Sequence, residues 1–156
     1  MKTVLIAFVL IFIPQIVFGF DVNGFITNMS KSEVKRKFSP SVRVSEHEKE
    51  TLVAQWQDGS YMSFNFCEDL LVSIQHGHPA NLRNYTLLVA EFNGKYGQPF
   101  SINAGSRSHP NGQIHELGAW WSDNNEYISV YYMGLPDGES MSTSHQAPNK
   151  CFKVPR

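Results

Sequence analysis

The sequence predicts an α+β protein of two tandem units, each a helix packed on a small antiparallel β-sheet. Three observations lead there. The segments "LVAQWQD" (Leu52 to Asp58) and "LGAWWSD" (Leu117 to Asp123) both spell Leu-x-Ala-x-Trp-x-Asp, and a Tyr follows each. A helical pattern with a similar ending precedes each, Lys37-Phe38-Ser39-Pro40 in one case and Lys95-Tyr96-Gly97-Gln98-Pro99 in the other. Period-two alternation around a turn then marks a hairpin in both places. The two repeats span residues of about 20–78 and about 79–146, and a C-terminal tail follows.

Taken in chain order, residues 1–19 carry Lys2, the apolar run Val4 to Ile13, Pro14 and then Val17-Phe18-Gly19 where a peptidase would cut, which is the pattern of a secretory signal peptide. An uncleaved anchor is the alternative, and the run is short for a span. No Cys follows the cleavage region, which speaks against a lipid-anchored form. Residues 20–156 then form a single domain. Without Lys2, twelve basic residues stand against fourteen acidic ones, a formal charge of −2. Such a balance is not the footprint of a nucleic-acid binder. Lys35-Arg36-Lys37 is answered by Glu46, Glu48 and Glu50, and belongs to a solvated face.

The first helix starts at a capping box, Ser30-Lys31-Ser32-Glu33, with Met29 and Val34 placed for a hydrophobic staple. It should run from Lys31 to about Phe38 and stop before Pro40. The second helix follows from Leu82, Tyr85, Leu88, Val89, Phe92 and Tyr96 at helical spacing, ended by Gly97 and Pro99. A polar connection comes after each helix, the second being the loop from Phe100 to Gln113. A symmetric turn at Asp58-Gly59-Ser60 would set Trp56 opposite Met62, Ala54 opposite Phe64 and Leu52 opposite Phe66. The turn Asp123-Asn124-Asn125-Glu126 would set Trp121 opposite Ile128, Ala119 opposite Val130 and Leu117 opposite Tyr132. In both hairpins the echoed Leu, Ala and Trp face inward, small beside large, as interdigitating core layers require. Third strands are expected at Leu70 to Gln75 and Met141 to His145, and a turn at Leu135 to Gly138.

Cys67 and Cys151 are the only cysteines, and in an oxidising compartment they form one disulfide. The alternative, a catalytic thiol, lacks an identifiable base. No nucleophile elbow, zinc-protease helix, phosphate loop or dinucleotide fingerprint occurs. His76-Gly77-His78 places two imidazoles at i and i+2, where both could face one metal ion, but zinc needs three or four ligands. His109, His115 and His145 could complete a set only through the fold. The other reading of the pair is a solvated loop ending at Pro79. Asp58 and Asp123 could be paired carboxylates, yet both begin hairpin turns, where Asp bonds the following backbone. No cofactor and no catalytic residue is expected.

The stretch Gly24-Phe25-Ile26-Thr27-Asn28-Met29-Ser30-Lys31-Ser32-Glu33-Val34 resembles the opening motif of the small outer-membrane assembly lipoproteins of the BamE/SmpA type. In those a Gly-Met-Ser/Thr-x-x-Glu/Gln-Val segment begins a helix that packs on a small antiparallel sheet. The tandem arrangement is similar to β-lactamase inhibitor protein. The resemblance implies the same fold here. Asn28 stands where the motif has Gly, and the lipid-carrying Cys is missing.

On the outward face the two hairpins differ. Val53, Gln55, Tyr61 and Asn65 of the first become Gly118, Trp120, Tyr127 and Tyr131 in the second. Large aromatic residues on a face that should be solvated mark a partner site. Alternatively the loop from Phe100 to Gln113 or the C-terminal tail covers them. The expectation is an exported, non-catalytic accessory protein of the cell envelope or periplasm, periplasmic or secreted, that binds a protein partner through Trp120, Tyr127 and Tyr131. An inhibitor of a secreted or periplasmic enzyme is the alternative, and a metal-dependent hydrolase built on the histidines a third reading.

Overall fold

The computed structural model describes residues 19–153, so the signal-peptide expectation lies outside the described residues. Two short strands, β1 (Asp21–Val22) and β2 (Phe25–Ile26), pair with each other. Helix α1 (Lys31–Arg36) follows, then β3 (Arg43–His47), β4 (Thr51–Gln55), β5 (Tyr61–Cys67) and β6 (Leu70–His78). Helix α2 (Leu82–Tyr96) leads into β7 (Ser101–His109), β8 (Gly112–Asp123), β9 (Glu126–Leu135) and β10 (Gly138–Gln146). Strands β3 to β10 form one antiparallel sheet in the order β3-β4-β5-β6-β10-β9-β8-β7.

This corrects the α+β expectation of two helix-on-sheet units. Strand makes up 53% and helix 16% of the structure, so the fold is predominantly β, with one main helix. The pairing of β6 with β10, from Met141↔His78 to Gln146↔Ser73, runs the strands into a single eight-stranded sheet. A duplicated fold of the BamE/SmpA type is therefore not what the chain adopts. The motif that carried the resemblance does form its local structure. Ser30 Oγ accepts from the Glu33 amide at 3.3 Å, and Glu33 accepts from the Ser30 amide at 2.7 Å. A capping box specifies a helix start and nothing about the sheet beyond it.

Register decides which residues share a face. The row Leu52↔Phe64↔Ile74↔His145↔Ile128↔Trp121 crosses six strands and faces the helices. Its two ends are apolar and its middle is not. Leu52, Phe64 and Ile74 join Val34 of α1 in one buried cluster, and Ile128 and Trp121 join Phe92 of α2 in another. The Trp121 indole N–H donates to the Gly97 carbonyl at 2.9 Å, and the ring packs edge-on against Phe92. Burying that ring leaves no polar atom without a partner.

The second hairpin has the expected register, and Asn124 and Asn125 both take positive φ, as a two-residue turn of the primed type requires. The first hairpin differs. Leu52 lies opposite Phe64 and Ala54 opposite Met62. Trp56 donates its amide to Ser60 at 2.9 Å, and Gly59 adopts φ 86°. The Asp58 carboxylate accepts both the Ser60 amide and hydroxyl. These bonds centre the turn on Asp58, which slides the register by two residues and leaves every face assignment intact. Trp56 consequently sits at the turn, half-buried against Phe38.

The two polar connections are strands. Arg43–His47 is a short edge carrying Arg43, Glu46 and His47, and Ser101–His109 is the opposite edge, exposed along nearly its whole length. Neither shows clear alternation: in β3 only Val44 packs against the first cluster, and β7 has no buried side to alternate with. The disulfide joins Cys67 to Cys151 across 84 residues. Ahead of it, the Ala147 amide bonds the Val72 carbonyl and the Ala147 side chain enters the first cluster, so the tail continues β10 onto the first half of the sheet. No helix among the described residues is long and apolar enough to cross a membrane.

Two stability outcomes follow from this packing. Trp121→Ala should cost about 3 to 5 kcal/mol, and Trp56→Ala clearly less, in urea unfolding followed by circular dichroism. Replacing Cys67 and Cys151 by Ala should cost about 4 to 5 kcal/mol in the same assay if the cross-link acts on unfolded-chain entropy.

Candidate functional site

The helix-free face of the sheet is built from hydroxyls, amides and a few aromatic rings. One row crosses all eight strands: Ser45↔Val53↔Ser63↔Gln75↔Ser144↔Ser129↔Trp120↔Ser101. Around its centre lies a cavity of about 290 Å³. Its floor is Ser73 and Gln75 from β6, Ser142 and Ser144 from β10, and Ser129 from β9. Asn65 and Gln146 border the floor, and Trp120, Tyr127 and Tyr131 form one wall. The structure thus brings the three aromatic residues singled out from sequence to one cavity.

Each ring is held in place. Trp120 is only 7% exposed, because it lies over the bare backbone of Gly118, where a Cβ would meet the ring at 2.0 Å. The residue seated on Gly118 is therefore Trp120 from the same strand, rather than Tyr131 from the next. The Tyr131 phenol lies near Glu116, which accepts from Arg107 at 2.8 Å. Burial first, and then the neighbouring Glu116 carboxylate, raise the Tyr131 pKa above its ordinary value, so the phenol stays protonated. The Arg107 bond is the main cause that lowers the Glu116 pKa. Tyr127 packs edge-on against Phe100, which is 51% exposed and extends the aromatic wall.

The floor is tied by its own hydrogen bonds. Gln75 donates to Ser142 at 2.8 Å, and Ser129 and Ser144 share a proton contact at 2.7 Å. Each group keeps further donor or acceptor capacity. The amino-acid sequence alone does not single out these residues. The alternation Ser140-x-Ser142-x-Ser144-x-Gln146 was the available signal, and its meaning depended on knowing which face β10 turns to the floor.

The histidines lie elsewhere. His76 and His78 stand on the helix side at the end of β6, not in a loop, with ring centroids 4.4 Å apart. His78 Nε2 meets Thr143 Oγ1 at 2.9 Å. His145 contacts Glu126, and His109 and His115 sit on β7 and β8. Among the described residues no group of three or more metal-ligating side chains converges. Asp58 serves its turn, where the Ser60 hydroxyl and amide hold its pKa below the ordinary value. Asp123 ends β8 at the second turn, so the two carboxylates belong to separate hairpins.

Comparison with protein families, with curated proteins and with solved structures finds no match to the chain. The geometry of the open face is accordingly the ground for a functional reading.

Burial, and secondarily the charge of His76, lowers the His78 pKa from its ordinary 6.5. The unfolded chain then binds more protons than the folded one below that value, so stability is full above it and declines as pH falls through the window beneath it. A urea-midpoint series from pH 8 to pH 5, using about four buffers across the histidine range, should show this slope, and His78→Gln should reduce it.

Proposed function

We propose that this is an exported protein that acts by binding, not catalysis, and that it docks a protein partner of the cell envelope, periplasm or extracellular space on the open face of its sheet. The observation that carries the proposal is the convergence of Trp120, Tyr127 and Tyr131 on one cavity in a face that neither helix covers. Aromatic rings held rigid before binding give up little entropy when a partner lands on them. The disulfide fits an oxidising compartment. An inhibitory role toward a secreted hydrolase is a special case of the same reading. It is favoured by the β7–β8 hairpin, whose exposed turn at Pro110 and Asn111 offers an insertable arm at the end of the sheet away from Trp120.

Pull-down from the exported fraction with wild type and with Tyr127→Ala or Trp120→Ala tests the proposal. Each variant should lose the captured protein by about tenfold or more, the effect of removing an aromatic anchor, while its melting curve remains a single cooperative transition. Equal capture by folded variants would remove the open face from consideration.

A further inference from the structure

The cavity has no carboxylate, ammonium, guanidinium or imidazole group among its lining residues. Four serines, one asparagine and two glutamines share it with Trp120, Tyr127, Tyr131 and Ile128. Such a lining is selective by exclusion. A phosphate, carboxylate or ammonium group placed there would lose its hydration with no opposite charge to replace it. Arg107 and Glu116, near Tyr131, are already paired with each other. A purely apolar ligand fares no better, because it would strip water from Ser73, Gln75, Ser142 and Ser144 and leave their remaining donors and acceptors unmet.

What satisfies both constraints is a neutral molecule with hydroxyls on its rim and C–H groups on its faces. Hydroxyls can both donate and accept, matching serine hydroxyls and carboxamides whose protons rotate or are fixed by the Gln75–Ser142 and Ser129–Ser144 contacts. C–H faces suit the π surfaces of Tyr127 and Tyr131. The cavity volume of about 290 Å³ is at the lower end for small-ligand sites, room for one or two sugar rings with the rest of a chain outside. The floor also crosses three adjacent strands, β6, β10 and β9, and Asn65 of β5 borders it, so these polar groups form a trough across the sheet, suited to an extended ligand.

We propose that the open-face cavity binds a neutral saccharide, free or displayed on the partner, with Trp120, Tyr127 and Tyr131 against its ring faces and the Ser/Gln floor against its hydroxyls. This rests on the open face being the binding surface.

Titration calorimetry with cellotetraose, chitotetraose, maltotetraose and mannotetraose, and with tetragalacturonate as the charged counterpart, tests it on the full mature chain. At least one neutral tetrasaccharide should bind, and tetragalacturonate should bind at least about tenfold more weakly. Tyr127→Ala should weaken the neutral ligand by a similar factor. Ser144→Asp, which puts a charge on the floor without removing a ring, should do the same while keeping the wild-type melting profile. No binding to any neutral tetrasaccharide, or equal binding of the charged one, overturns the proposal. If that happens while Tyr127→Ala still loses its captured protein, the saccharide is wrong and the docking face stands. If capture is unchanged in Tyr127→Ala and Trp120→Ala, the docking face itself is wrong.

Discussion

The antiparallel pairing of β6 with β10 is the interaction on which the rest of the structure depends. Six residue pairs join the strands that end the two halves of the chain, and no apolar core spans the junction. On the helix side the junction pairs Met141 with His78, Thr143 with His76 and His145 with Ile74, and the two buried clusters stay separate on either side of it. Backbone hydrogen bonds therefore make the sheet continuous. The disulfide and the passage of Ala147 into the first cluster hold the same two halves together from one end. On the open side the cavity floor straddles this junction, with Ser73 and Gln75 from β6 and Ser142 and Ser144 from β10. The Gln75 to Ser142 bond crosses it directly.

Much of the local structure was legible in the sequence, and for physical reasons. Helix α2 matches its expected span because apolar spacing, an Asn81 cap and Gly97 all act on the same residues. The second hairpin was fixed by Asn124 and Asn125, whose turn permits one register. The first was displaced because Asp58 bonds Ser60 twice and centres the turn on itself rather than on Gly59. Strands β3 and β7 were invisible as strands. With one partly buried residue in β3, Val44, and no buried one in β7, they carry too little of the alternation that marks one. The echo of "LVAQW" and "LGAWW" does place both segments next to an edge of the same sheet, β4 inside β3 and β8 inside β7. It could not reveal that the strands between them join, since most of the joining residues are polar and the pairing is long-range.

The candidate site was half legible. Trp120, Tyr127 and Tyr131 stand out because apolar bulk at positions of outward parity has no packing role within the hairpin. The floor did not stand out, since serines and glutamines on an outward face are ordinary until two distant strands are known to lie side by side. Depth also escaped the sequence. Trp120 is almost buried, laid on Gly118, where Gln55 in the first hairpin is exposed. The site is preformed in consequence: rings seated on backbone or on neighbouring side chains, hydroxyls and amides already bonded to one another.

The continuity of the sheet is the central claim, because a binding face that crosses the junction exists only if the junction is intact. Native-state amide hydrogen exchange measures it directly. The β6 amides that point toward β10, and the β10 amides that point toward β6, should exchange only through global unfolding, as slowly as amides in the middle of β5 and β9. Exchange of those junction amides at the rate of the exposed edge strand β7, with β5 and β9 still protected, would contradict the account and leave two sheets where it requires one.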